Sequence, residues 1–349
     1  MTASPSPLPV IDLSRFDGDA AQRTALLNEV RAAAFGPGFF YLVGHGIADD
    51  LIRAVLAASR QFFALPEADK LAIEMVNSPH FRGYTGAGLE LTRGQQDWRE
   101  QLDIGTEHEA TGVSRDAPAW ARLQGPNQWP AALPELKPLL LRYQSEVTAL
   151  AIKVLRVFAV ALGQPEQVFE PIYAPAPHQL LKLIRYPGRA AGSSDQGVGA
   201  HKDSGFVTIL LQDVVAGLQV ETEQGWIDAP PLPGSFVVNI GELLELASNG
   251  ALRANVHRVV SPPADTDRLS VAFFLGARLD ATVPVLTLPS ELAAHSRGVT
   301  QDPRNPLFRE VGRNYLKGRL RSHPDVARKH HADLLNEFDR TPELVAAGD

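Results

Sequence analysis

Between His178 and Leu275 the chain is a succession of short β-forming runs punctuated by glycine and proline, and this constrains the fold more than any other feature. The runs are Gln179–Tyr186, Gly197–Lys202, Val207–Leu211, Leu218–Val220, Trp226–Ala229, Ser235–Ile240, Val256–Ser261 and Leu269–Leu275. Few helices fit between them. Strands of this length and spacing argue for a sandwich or a closed barrel, which hides the strand edges.

The flanking segments read as mixed α/β. A strand at Pro9–Leu13 precedes a helix over Ala20–Phe35, which Gly36 and Pro37 end. The apolar strand Phe39–Val43 is closed by Gly44 and Gly46, and helices fit Asp49–Phe63 and Pro66–Met75. Residues 77–97, with Phe81-Arg82-Gly83-Tyr84-Thr85-Gly86-Ala87-Gly88, show no helical or strand period and read as a long loop, a type often tied to function. A strand at Arg99–Ile104 follows, then a long helix from Pro138 to Leu162. Arg142, Glu146, Lys153 and Arg156 interrupt that helix, so it reads as amphipathic rather than membrane-spanning. Beyond Arg278 a proline-containing connection leads to helices at Pro306–Leu320 and Pro324–Phe338. With no clean linker, the expected division is an N-terminal α/β region (1–120), a long linking helix (121–175), a β core (176–280) and a helical extension packed on that core (281–349).

The chain has no cysteine, which excludes disulfides, thiolate zinc sites, iron–sulfur clusters and a cysteine nucleophile. Any metal must rest on nitrogen and oxygen, so the ten histidines are the residues to weigh. A formal net charge of −7, with no basic stripe carrying interleaved aromatics, argues against a nucleic-acid or anionic-membrane partner. The first residues lack the basic and apolar regions of a secretory signal, and a cytoplasmic protein, monomeric or weakly associating, is expected.

His201-Lys202-Asp203 ends one of the β-runs, where residues i and i+2 project to the same face and form a natural pair of metal ligands. The same spacing in His323-Pro324-Asp325 and His331-Ala332-Asp333 falls in helical or helix-boundary sequence, and those pairs are expected on the surface, as is a solvated His330-His331. His201 and Asp203 differ in context. His257 follows in another β-run, and Arg268-Leu269-Ser270 enters a third. Two histidines and one carboxylate on a barrel are the facial triad of non-haem Fe(II) oxygenases, which leaves metal positions open. An arginine beside a hydroxyl suits bidentate capture of a carboxylate. Together these describe a site that chelates a ketoacid at iron and clamps its far end.

The chain resembles the isopenicillin N synthase-like family of 2-oxoglutarate/Fe(II)-dependent oxygenases. The N-terminal resemblance lies in Pro9–Leu13, Gly38–Tyr41, His45-Gly46-Ile47 and Phe62-Phe63 before Pro66. The catalytic resemblance lies in Gly199–Gly205, Leu210–Asp213, Gly217–Val220, Asn239–Glu242, Ser248–Gly250, Val256–Val259 and Arg268–Ser270. It implies a mainly-β core in a mixed α and β chain: a double-stranded β-helix, or jelly roll, framed by N- and C-terminal helices. His201, Asp203 and His257 would hold Fe(II). Arg268 and Ser270 would bind the distal carboxylate of 2-oxoglutarate, with Tyr186 of Leu183-Ile184-Arg185-Tyr186-Pro187 at the same end.

On the resemblance, 2-oxoglutarate and O2 are consumed to give succinate and CO2 while a small organic substrate is hydroxylated, desaturated or cyclised. Two other readings stay open at this point: an isopenicillin N synthase-type oxidase that uses O2 without the ketoacid, and a non-catalytic metal-dependent binding or sensor protein. For the substrate pocket the candidates are Arg82, which falls where the family carries a substrate-contacting arginine, and Phe206 and Phe274 on strands near the metal ligands. Gln101 and Asp103 could face the same space.

Overall fold

The computed structural model describes residues 8–109, 117–190, 194–299, 302 and 305–335. Fourteen strands occur among them: β1 (Val10–Asp12), β2 (Phe39–Val43), β3 (Gly83–Thr85), β4 (Leu91–Thr92), β5 (Gln95–Gln96), β6 (Glu100–Gly105), β7 (Gln179–Tyr186), β8 (Gln196–His201), β9 (Val207–Gln212), β10 (Leu218–Thr222), β11 (Gly225–Asp228), β12 (Phe236–Ile240), β13 (His257–Val260) and β14 (Arg268–Leu275). All eight runs expected between His178 and Leu275 are strands. They are shared between an eight-stranded sheet, β1-β2-β12-β9-β14-β7-β6-β3, and a four-stranded sheet, β11-β10-β13-β8. The result is a jelly roll. The first third of the chain adds β1 and β2 at one edge of the large sheet and β6 and β3 at the other.

The period-2 alternation of the strands separates two cores. On the inner face, Tyr41, Val237, Ile184, Tyr186 and Ala272 of the large sheet meet Val198, Leu218, Val220 and Val259 of the small one. On the outer face, Leu181, Leu183, Ile209, Val271 and Phe273 join a larger cluster with the helices. Both faces of the large sheet are therefore covered, which is why Phe39–Val43 and Phe236–Ile240 read as apolar runs rather than as alternating ones.

The long helix Leu136–Ala161 supplies most of the outer cover. Leu140, Val147, Ala151, Val154 and Phe158 recur at helical spacing and are buried, each full burial stabilising by roughly 1.5–3 kcal/mol for the larger side chains. The helix packs on β9 and β14 and on the helices Ala20–Phe35 and Asp49–Phe63. A capping box between Asp19 and Gln22 fixes where the first of these begins.

Two expectations need correction. The loop read over residues 77–97 contains β3, which pairs with β6, and the hairpin of β4 and β5; runs of two or three residues are too few to show a period. His323 and His331 are not surface residues: each is only 1% exposed. The helices Val311–Ser322 and Pro324–His330 fold back onto the N-terminal third, where His331 stacks on Phe81 and its Nε2 bonds the Pro79 carbonyl at 2.8 Å. The part of the last expected helix beyond residue 335 lies outside the described residues.

On the helix Val311–Ser322, Tyr315 and Arg319 are one turn apart, and His323 caps its end in line with them. This stripe faces the barrel. The Tyr315 ring meets His178 edge-on at 4.5 Å, Arg319 pairs with Asp103, and His323 lies 4.0 Å from Glu90. Gly276 permits the approach, since a Cβ there would collide with the Tyr315 hydroxyl.

Candidate active site

His201 closes β8 and His257 opens β13, and the antiparallel register places these two residues directly opposite each other. Their ring centroids are 4.3 Å apart. Asp203, two residues beyond His201, points Oδ1 between them, 3.5 Å from His201 Nε2 and 3.6 Å from His257 Nε2. The three ligand atoms lie within 4.8 Å of one another, and this is the one such cluster among the described residues.

The supporting bonds free these atoms for a metal. Nδ1 of His201 bonds the Gly199 carbonyl at 2.8 Å, and Nδ1 of His257 bonds the Asn255 carbonyl at 3.4 Å. A carbonyl can only accept, so each Nδ1 carries the proton and each Nε2 presents a lone pair. Asp203 Oδ2 accepts from Thr208 Oγ1 at 2.5 Å and from Asn239 Nδ2 at 2.8 Å, which leaves Oδ1 for the shared centre.

The electrostatics agree. Burial, reinforced by neighbouring His201, pulls the His257 pKa down to about 4. Burial works against the Asp203 charge too, but His257, His201 and Asn239 outweigh it and hold the carboxyl well below the usual range. At His201 burial opposes protonation, yet the bond and charge of Asp203 raise the pKa. Two neutral imidazole nitrogens and a carboxylate oxygen, with no thiolate, suit Fe(II) and leave positions open on it.

Arg268 and Ser270 project into the same barrel from β14. Arg268 is fully buried, and Nη2 donates to Gln212 Oε1 at 2.8 Å. Its guanidinium lies 4.8 Å over the ring of Tyr186, its register partner on β7. Arg268 Nε and Nη1 and the Ser270 hydroxyl have no hydrogen-bond partner. Unpartnered buried donors are costly, and these converge at one end of the barrel interior as a carboxylate would require. The residues present therefore fit the ketoacid as well as the metal.

The substrate candidates divide. Phe274 belongs with the partly buried residues of the inner face. Phe206 does not line that space: it is 1% exposed in the outer core, edge-on to Phe169, because the chain turns before β9 begins. Arg82 is no solvated loop residue. It is buried, its Nη atoms donate to the carbonyls of His80, Phe81 and Leu123, and Gly105 leaves room for it. Burial, followed by the charge of Arg319, lowers its pKa to about 10. With His178 and Thr106 it lines a cavity of about 230 Å³, which His201, Asp203 and His257 do not line.

Several residues escaped the sequence reading. Asp97 is fully buried; its Oδ1 accepts from the Gly199 amide at 3.0 Å, so the residue whose carbonyl orients His201 is itself held. Asn239 falls in a family block, and a lone amide in the apolar run of β12 was a usable signal. Asp97 and Arg319 had no such signal, since their roles depend on distant partners.

Comparison with known proteins supports the same conclusion. Residues 8–132 match the N-terminal family described as non-haem dioxygenase in morphine synthesis, and residues 177–277 match the 2OG-Fe(II) oxygenase superfamily. A 2-oxoglutarate-dependent dioxygenase of Dothideomycetidae sp. is 35% identical over 97% of this chain and 94% of its own. A homoarginine-6-hydroxylase of Arabidopsis thaliana is 36% identical over 87% of this chain and 94% of its own. The crystal structure of a full-length Neurospora crassa protein in complex with alpha-KG (2-oxoglutarate) and thymine superimposes with a TM-score of 0.72 at 26% identity, covering 95% of this chain and 99% of that one.

The chain belongs to the 2-oxoglutarate/Fe(II)-dependent oxygenases, of the isopenicillin N synthase-like kind. It is an oxidoreductase that uses Fe(II), 2-oxoglutarate and O2 and acts on a small molecule. Among the described residues no helix is long and apolar enough to cross a membrane.

Proposed function

We propose that His201, Asp203 and His257 hold the Fe(II), and that Arg268 and Ser270, above the ring of Tyr186, grip the distal carboxylate of 2-oxoglutarate. The observation that carries this is the pairing of two convergent, unsatisfied sets inside one barrel: three ligand atoms at one place and three unpartnered donors at another. When bound, Fe(II) supplies the oxygen activation that couples ketoacid decarboxylation to substrate oxidation. Every other contribution comes from the chain. Gly199 and Asn255 fix the imidazole tautomers, Thr208 and Asn239 aim Asp203, and Arg268 sets the ketoacid's direction. The apolar inner wall from Val198, Val220 and Val259 excludes water from the space between.

Homoarginine, in the name of one relative above, and thymine, in complex with another, are both small nitrogen-bearing polar molecules, and this is the substrate class we propose to test first. In the same reading the protein is cytoplasmic, monomeric or weakly associating, without nucleic-acid or membrane partners, and residues 1–120 and 281–349 frame the catalytic core. Anaerobic addition of 2-oxoglutarate to the Fe(II) protein is expected to produce a visible charge-transfer band, and turnover to release succinate. Absence of both would sink the assignment.

A further inference from the structure

The inner face of β6 is claimed by neither the metal nor the ketoacid. Gln101 and Asp103 alternate along it, with Arg99 just before its first residue, and the two face the barrel because Gln101 registers with Ile184 and Asp103 with Lys182 on β7. Ile184 belongs to the inner cluster. Gln101 and Asp103 are 0% exposed. Asp103 Oδ2 accepts from Arg319 Nη1 at 2.8 Å and lies 3.4 Å from Lys182 Nζ, while its Oδ1 has no hydrogen-bond partner. Neither amide atom of Gln101 has one, nor does Arg99 Nε. Of these four atoms, two acceptors and two donors, three sit on one strand face and the fourth on the residue just before the strand.

Their neighbours are already satisfied among themselves. Lys182 pairs with Glu90 at 3.1 Å, Glu90 with Arg99 at 2.8 Å, and Arg99 with Asp97 at 3.3 Å. Three carboxylates (Glu90, Asp97, Asp103) balance three cations (Arg99, Lys182, Arg319), so the face selects by hydrogen bonds rather than by net charge. It also borders the chemistry, because Asp97, the partner of Arg99, accepts from the Gly199 amide two residues before His201.

We propose that this face of β6 reads the substrate. Asp103 Oδ1 and Gln101 Oε1 take N–H donors, and Gln101 Nε2 and Arg99 Nε offer hydrogen bonds to a carbonyl or carboxylate. The substrate is accordingly a polar, nitrogen-bearing molecule with donors next to acceptors. An apolar acid would leave the four buried atoms unpartnered, and a site built to hydrogen-bond rejects ligands that cannot answer it. The inference rests on the metal, ketoacid and substrate-class assignments above and adds the residues that read the substrate.

The test is calorimetric titration of the anaerobic protein loaded with Fe(II) and 2-oxoglutarate. One set of test ligands is L-arginine, L-homoarginine, thymine and uracil; the other is phenylacetic acid and cinnamic acid, which carry no N–H donor. Binding is expected from the first set and none from the second. Gln101→Leu and Asp103→Asn should each weaken the bound ligand by roughly tenfold to a hundredfold, with 2-oxoglutarate affinity unchanged. Asp103→Asn keeps the side-chain shape and an acceptor for Arg319, and Gln101→Leu removes no charge, so melting curves of the two separate a folding defect from lost recognition. Failure of every polar ligand to bind, preferential binding of an apolar acid, or variants that bind like the wild type would each overturn the inference. A protein that does not take up 2-oxoglutarate in the loading step overturns the earlier assignment instead.

Discussion

Replacing Arg268 by methionine should change two properties in opposite directions. The side chain is fully buried, and its only hydrogen bond among the described residues is to Gln212, an uncharged partner. No described carboxylate forms an ion pair with it, so Nε and Nη1 wait for one. Each charge-assisted hydrogen bond to a carboxylate contributes about 1.5–3 kcal/mol. Two of them amount to about 3–6 kcal/mol, or roughly a hundredfold to ten-thousandfold in the Kd for 2-oxoglutarate. Without ligand, a buried cation with no counter-charge gives way to an apolar side chain of similar length, a change that is often neutral or stabilising. The ligand-free variant should therefore melt at or above the wild-type temperature, while the stabilisation by 2-oxoglutarate disappears. Anaerobic titration of the Fe(II) protein, followed by the charge-transfer band, gives the Kd, and melting curves with and without ketoacid give the second readout. Arg268→Lys keeps the charge but loses the fork, and should fall between the two. A Kd within about tenfold of wild type in Arg268→Met would refute the anchor, because even one lost bond of this kind exceeds that change.

Asp97→Ala frees the amide of Gly199 and loosens the residue whose carbonyl orients His201; Fe(II) affinity, measured by competition with a chelator, should drop by roughly ten- to a hundredfold, as for other partners of metal ligands. An unchanged affinity would show that Asp97 holds only its own loop. Asn239→Leu removes one of the two donors to Asp203 Oδ2 and should weaken iron by about tenfold in the same assay, and Thr208→Val should act in the same direction. His323 gives a pH effect: burial lowers its pKa from 6.5 to about 4, so the fold favours the neutral ring. Its contribution is then present above pH 6.5 and is lost as pH falls towards 4, about 3 kcal/mol in total and about 2 kcal/mol of it by pH 5. Denaturant unfolding of the metal-free protein at pH 7 and pH 5 should show that loss in the wild type and a smaller one in His323→Gln; equal losses would remove His323 as the cause.

The metal half of the site was legible because it depends on local rules. His201 and Asp203 share a strand face at i and i+2, and His257 and Arg268 each open a β-run recognisable by its turns. Gln101 and Asp103 could be placed on one face for the same reason. Arg319 could not, since its partner Asp103 lies 216 positions away and helix periodicity does not say what a helix will face. His323 and His331 misled for a related reason. Polar residues in helix-boundary sequence read as solvated, and only the return of the C-terminal helices onto Phe81 and Glu90 buries them. Phe206 erred by a turn of the backbone just before β9, a detail below the resolution of strand pattern.

The stripe of Tyr315, Arg319 and His323 has a temporal consequence, because a chain is synthesised from its N-terminus. Every residue proposed to hold iron or 2-oxoglutarate has been made by the time Ser270 is joined, whereas Arg319 and His323 arrive dozens of peptide bonds later. A chain that ended soon after β14 would carry all the proposed iron and ketoacid residues but lack the cation that pairs with Asp103. Exchange of the late helix would therefore change the partner of a proposed substrate-reading carboxylate and leave the strands that carry His201 and His257 untouched.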